Sequence, residues 1–196
     1  MAGLPEHEMN RRVSLLFSWF LCLSLICGVC SPALSAPTSP LNGIPIQGTP
    51  FDGKLVRTGF FDVRADELAL PHRSSLEELF AIARAFRYSR DRGGDYWQTP
   101  QETSQKRSGD CEDKAVWLYA QLKQNGIENV RLVIGKHKSM DRNYHVWVQV
   151  RDPDGSVLIL DPAVQKRIWR SGDFSGGFYN ALYSYDGKNR FKHTKQ

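Results

Sequence analysis

Beyond residue 35 this sequence has one cysteine, Cys111; the other three, Cys22, Cys27 and Cys30, all precede it within the first 30 positions. A disulfide framework in the chain that follows is therefore excluded. No internal repeat is visible, and no basic stripe with interleaved aromatics marks a nucleic-acid surface, so nucleic acid is not an expected partner. The formal charge is +5 and the pI near 9.1, but part of the excess lies between Lys188 and Lys195. Residues 188–196 are read as a basic tail, a solvated end able to touch an anionic envelope surface.

What is present begins with a leader. Arg11 and Arg12 precede an apolar run from Val13 to Cys30, and Ala33, Ser35 and Ala36 supply small residues after it. That is the pattern of a signal peptide over residues 1–35, with cleavage expected after Ser35 because Pro37 disfavours a cut after Ala36. The competing expectation is an uncleaved anchor, the run being about as long as the shortest membrane spans; the membrane would then be a partner only through that leader. Either way the chain is exported, to a periplasmic or extracellular place. A single unpaired thiol in an oxidising compartment points to a working thiol or a dimer bridge, against the plainer alternative of a buried inert cysteine.

A chain of 196 residues with 41% hydrophobic and 11% aromatic content can bury one sizeable core, so one domain is expected, over residues 61–187. Residues 36–60 carry Pro37, Pro40, Pro45 and Pro50 with Gly43, Gly48 and Gly53, and are expected to form an extended segment. Leu76, Leu79, Phe80, Ala83 and Phe86 then recur with helical period, capped by Ser74 or Ser75 with Glu77 or Glu78. A polar loop through Gly93, Gly94 and Pro100 leads to a second helix from Cys111 or Glu112 to Asn125, closed by Gly126. Afterwards the period becomes two, over Val130–Gly135, Tyr144–Val150 and Val157–Leu160. Helices followed by antiparallel strands make an α+β class.

Cys111 lies in Gly109-Asp110-Cys111-Glu112-Asp113, at the start of the second helix. The first-turn N–H groups and the helix dipole favour a thiolate there and can hold an oxyanion. Asp110, Glu112 and Asp113 act the other way, favouring the protonated thiol, so a protonated histidine or a bound cation must offset them. Those acids also have a purely structural use: Asp110 as N-cap, Glu112 and Asp113 against the helix dipole.

His145 shares one strand face with Trp147 and Gln149, opposite the valines 146, 148 and 150, and that more polar face is where a cleft is expected. His72, His137 and His193 carry no such context. The turn Asp152-Pro153-Asp154-Gly155 has the pattern of a three-residue hairpin loop with a bulge, which pairs Asp152 with Ser156. Trp147 then falls opposite Asp161, with His145 diagonal to Asp161 on the same face. A loop of two or four residues would separate them. Thiol, imidazole and an orienting carboxylate are the nucleophilic triad of acyl transfer.

Gly109-Asp110-Cys111-Glu112-Asp113 opening a helix, His145-Val146-Trp147-Val148 on a strand and Leu160-Asp161-Pro162 on the next together resemble the transglutaminase-like superfamily. With Tyr96-Trp97-Gln98-Thr99-Pro100-Gln101-Glu102-Thr103 added, the chain resembles its bacterial cysteine proteinases. The resemblance implies a papain-like fold, with the cysteine helix packed on an antiparallel sheet. It implies a cysteine peptidase or amidase acting through Cys111, His145 and Asp161 and an acyl-thioester. It also implies Trp97 as an oxyanion donor, and an optional Ca2+ held by Asp110 and Glu112, though no cofactor is needed for the chemistry. Leu-Asp-Pro departs from the Leu-Asp-Asn of that subgroup. The expected partner is a protein or peptide substrate, with an envelope or surface protein as a candidate; the alternatives are a transamidase with an amine acceptor, a non-catalytic module binding a peptide or envelope component, and a redox thiol.

Overall fold

A computed structural model describes residues 43–63, 74–140, 144–173 and 177–194, all within the compact unit Ala36–Gln196. The expected leader lies outside the described residues. Among these, no helix is long and apolar enough to cross a membrane.

The fold is α+β. Strands β1 (Ile44–Pro45), β4 (Val130–His137), β5 (His145–Arg151), β6 (Val157–Leu160), β7 (Trp169–Arg170), β8 (Tyr179–Asp186) and β9 (Asn189–Lys192) form one antiparallel sheet in the order β1-β9-β8-β4-β5-β6-β7. Short strands β2 (Arg87–Tyr88) and β3 (Ser108–Gly109) pair in parallel apart from it. The helices are α1 (Asp52–Arg57), α2 (Leu76–Ala85), α3 (Pro100–Lys106) and α4 (Cys111–Gln124).

Helix α4 is the central element. Every residue from Cys111 to Leu122 is buried, because the sheet lies on one side and α2 and α3 on the other. Ala115, Leu118 and Leu122 meet Leu132, Ile134, Val146 and Val148 in the main core. Ser75 caps α2 through a reciprocal box, its Oγ accepting from the Glu78 N–H at 3.2 Å while Glu78 Oε2 accepts from the Ser75 N–H at 2.9 Å.

Four expectations are corrected. Helix α3 stands in the region read as a polar loop: Thr99 caps it, Pro100 occupies its first turn, where no N–H is missed, and Glu102 completes the box. Residues 36–60 are not simply extended. Phe51, Leu55 and Phe60 are buried, with the Phe60 ring 4.4 Å from that of Tyr119, so apolar burial outweighs the helix-breaking residues before them. Nor is the basic tail a solvated end: β9 pairs with β8 and β1, and Arg190 Nε lies 2.7 Å from Asp52 Oδ2. Finally, the His145 face of β5 is covered, since Trp147, Val133 and Ile159 form a second small core there with Tyr179 and Ala181.

The β5–β6 hairpin has the expected register. Val148 pairs with Leu160 and Arg151 with Val157, and the Asp152 N–H donates to the Ser156 carbonyl at 2.9 Å. Gly155 makes this possible at φ 85°, a conformation that costs other residues a steric clash.

Candidate active site

Gly109 precedes the site for a steric reason: a Cβ there would lie 2.5 Å from the Asp113 Cβ. That close approach lets the Asp113 carboxylate take the Gln98 N–H at 2.7 Å and its side-chain amide at 2.6 Å. It also receives the Asp110 N–H at 3.3 Å. Asp113 is thus a structural clamp on the entry to α4. Burial nevertheless pushes its pKa up to about 6, the hydrogen bonds from Gln98 and Asp110 opposing the rise.

Cys111, at the first position of α4, is 1% exposed. Its thiol donates to Glu112 Oε2 at 3.0 Å, and the Val146 N–H approaches the sulfur from β5. Burial first, then the charge and hydrogen bond of Glu112, push the thiol well above its ordinary range; the Val146 N–H works against them. In this structure burial and the acidic neighbours together outweigh the Val146 N–H. Glu112 is itself raised, chiefly by burial.

One residue before Val146, His145 places Nε2 2.6 Å from Asp161 Oδ2, and both side chains are essentially inaccessible. The diagonal pairing thus closes into direct contact. Asp161 is fixed from three more directions: its Oδ1 accepts the Ala163 N–H at 3.0 Å, its own N–H donates to Gln165 Oε1 at 3.2 Å, and Tyr179 donates to Oδ2 at 2.8 Å. Gln165 in turn donates to the Tyr179 hydroxyl at 3.0 Å. His145 Nδ1 is buried and has no hydrogen-bond partner among the described residues. With Nε2 facing a carboxylate, the N–H belongs on Nε2, and Nδ1 presents a lone pair.

Beside Cys111 opens a cavity of about 290 Å³ lined by Asp91, Asp95, Asp110, Glu112, Trp97 and Val146 among others. Oxygens of Asp91, Asp95 and Glu112 lie within 4.8 Å of one another. The sequence-predicted metal residues Asp110 and Glu112 therefore share this cavity with two carboxylates that were missed. Their signal was Asp91-Arg92-Gly93-Gly94-Asp95, two acids spaced across a glycine turn. Lys54 forms an ion pair with Asp95. Although partial burial opposes it, this contact leads the causes that hold Asp95 below its ordinary value. Trp97, the sequence-predicted oxyanion donor, gives its indole N–H to Asp95 Oδ1 at 2.9 Å. Tyr179 and Gln165 were likewise missed, since they come from segments with no catalytic pattern of their own.

The model of the transglutaminase-like superfamily matches residues 64–162, half of the chain. No curated protein sequence matches this chain. Among solved structures, LapG of Legionella pneumophila in its calcium-bound form superposes with a TM-score of 0.54 at 20% identity, over 76% of this chain and 84% of that one. The EGTA-treated form of LapG gives 0.53 at 21% identity, over 75% and 79%. At such identity the likeness establishes the fold.

Proposed function

This chain belongs to the transglutaminase-like superfamily, and we propose that it is an exported cysteine peptidase or amidase with Cys111 as nucleophile, His145 as base and Asp161 as the group that orients the base. The observation that carries this is the His145–Asp161 contact at 2.6 Å, which leaves the buried Nδ1 without a partner among the described residues, one residue from the Val146 N–H that touches the Cys111 sulfur. In the reaction Nδ1 takes the thiol proton, and the sulfur bonds to the carbonyl carbon of an amide. The Cys111 N–H at the start of α4 supplies a donor to the oxyanion. The imidazolium then protonates the departing amine as the C–N bond breaks, leaving a thioester. Water, deprotonated at Nδ1, attacks the thioester; a carboxylic acid leaves and the thiol regains its proton. Asp161 holds the imidazole tautomer and orientation. The substrate class is protein or peptide, and the leader-like residues 1–35 support an envelope or extracellular target.

Burial, and after it Glu112, favour the protonated thiol in the structure, so an activating cation fits the reading. Three carboxylates with only oxygen ligands suit Ca2+, and the fold is shared with a protein solved in calcium-bound form. Asp91, Asp95 and Glu112 would hold the ion, with Asp110 on the same cavity wall. What it would supply there is positive charge against the carboxylates that raise the Cys111 thiol.

The test is iodoacetamide labelling of Cys111 across pH, with and without calcium, in the wild type and in His145→Ala, alongside turnover of a peptide library. Fast labelling near neutral pH that slows in His145→Ala, with turnover lost in Cys111→Ala, is the expected result. Labelling typical of an ordinary thiol in every condition would reject the enzyme in favour of a binding module.

A further inference from the structure

Residues that contact the His145–Asp161 pair line a second cavity, of about 640 Å³, that the mechanism does not use. Its inner wall is His137 and Tyr179. The His137 ring is 5.4 Å from that of His145, and the Tyr179 hydroxyl donates to Asp161, so the cavity ends against the proposed catalytic pair. Its floor is aromatic: the Tyr179 ring lies 4.6 Å and the Phe178 ring 5.7 Å from His137, edge to face. Phe178 and Val164 leave large apolar surface exposed there, at 37% and 40%. Among the described residues no carboxylate lines it; Lys166 and Arg167 do. Arg167 is held over the Trp169 ring at 3.9 Å, and the Lys138 ammonium stands 5.8 Å from the Phe178 ring centre.

Lys54, Lys106, Arg170 and Arg190 each pair with a carboxylate. Among the described residues, neither Lys166 nor Arg167 has such a partner. Two exposed cations around an aromatic floor match an extended peptide with an aliphatic side chain beside an acidic one.

We infer that this cavity is the substrate subsite flanking the scissile bond, and that it selects an acidic residue next to an aliphatic one. The inference rests on the amide-cleaving role of the neighbouring pair for its function, but not for its ligand.

The experiment measures binding by fluorescence anisotropy at 0.15 M salt to the full chain carrying Cys111→Ala. The probes are two fluorescein-labelled hexapeptides, one with leucine between glutamates and one with leucine between lysines. The glutamate peptide is expected to bind more tightly by about fivefold, the effect of two exposed ion pairs together. Lys166→Glu with Arg167→Glu should reverse the preference, while the same charge change at Lys123→Glu with Lys188→Glu should leave it. No discrimination between the peptides, or an equal response to both double substitutions, would overturn the inference. A glutamate peptide bound in this way but never cut by the wild-type protein would reject the hydrolase and leave the subsite standing. Peptide-library cutting with no acidic preference at any position would do the reverse.

Discussion

Tyr179 and His145 meet on one oxygen: the phenol donates to Asp161 Oδ2 at 2.8 Å, and His145 Nε2 lies 2.6 Å from the same atom. The carboxylate against the imidazole is therefore itself held, and its charge is shared between two donors. Burial and the Asp161 charge push the Tyr179 hydroxyl far above its ordinary range, so it remains a donor at any working pH.

Asp161→Asn keeps the shape but offers His145 an amide in place of a carboxylate. Turnover should fall roughly 10²–10⁴-fold, with neutral-pH labelling of Cys111 slowed in parallel. Undiminished turnover would remove Asp161 from the machinery.

Tyr179→Phe deletes one donor to Asp161. The less-shared carboxylate should stabilise the imidazolium more, so the neutral base appears only at higher pH and the acid limb of the pH–rate profile moves upward. The cost in stability should be about 1–2 kcal/mol for a buried acceptor losing a partner. A stability loss with an unmoved pH profile would make Tyr179 a packing residue only.

Removing calcium with a chelator should slow Cys111 labelling, and Asp91→Asn with Asp95→Asn should weaken calcium binding by about tenfold or more in calorimetry. Binding that survives both substitutions would place the ion elsewhere.

Asp113 predicts a pH dependence of stability. Its folded pKa, about 6, lies above the ordinary 3.8, so the bound proton favours the fold. That contribution is present in full below about pH 4 and is lost as the pH rises through about 6. Stability of the wild type relative to Asp113→Asn should therefore grow as pH falls from 7 to 4, by on the order of 2 kcal/mol. Urea unfolding at each pH reads it directly; a flat difference would count against a buried, neutral-leaning Asp113.

Leu55 in α1 is fully buried. Leu55→Ala should cost about 2–5 kcal/mol, seen as a lower urea midpoint. A change within error would mean that the segment before residue 60 is not part of the cooperative unit.

Local order was legible where chemistry and geometry act over a few residues. Asp152-Pro153-Asp154-Gly155 determined the hairpin register, because a glycine in the left-handed conformation closes a three-residue loop and the period of two then decides which side chains share a face. The same locality placed Cys111 at a helix start. Thr99-Pro100-Gln101-Glu102 was just as explicit and marks α3, but the glycines and proline around it masked the box. What the tertiary structure alone decided involves partners distant in sequence. Tyr179 and Gln165 reach Asp161 only because β8 and the β6–β7 connection converge there, and Asp91 and Asp95 meet Glu112 only because a loop folds over the start of α4. Whether Cys111 rests as thiol or thiolate likewise depended on burial, which no spacing reveals: desolvation turned the acidic neighbours from surface charges into the groups that hold its proton.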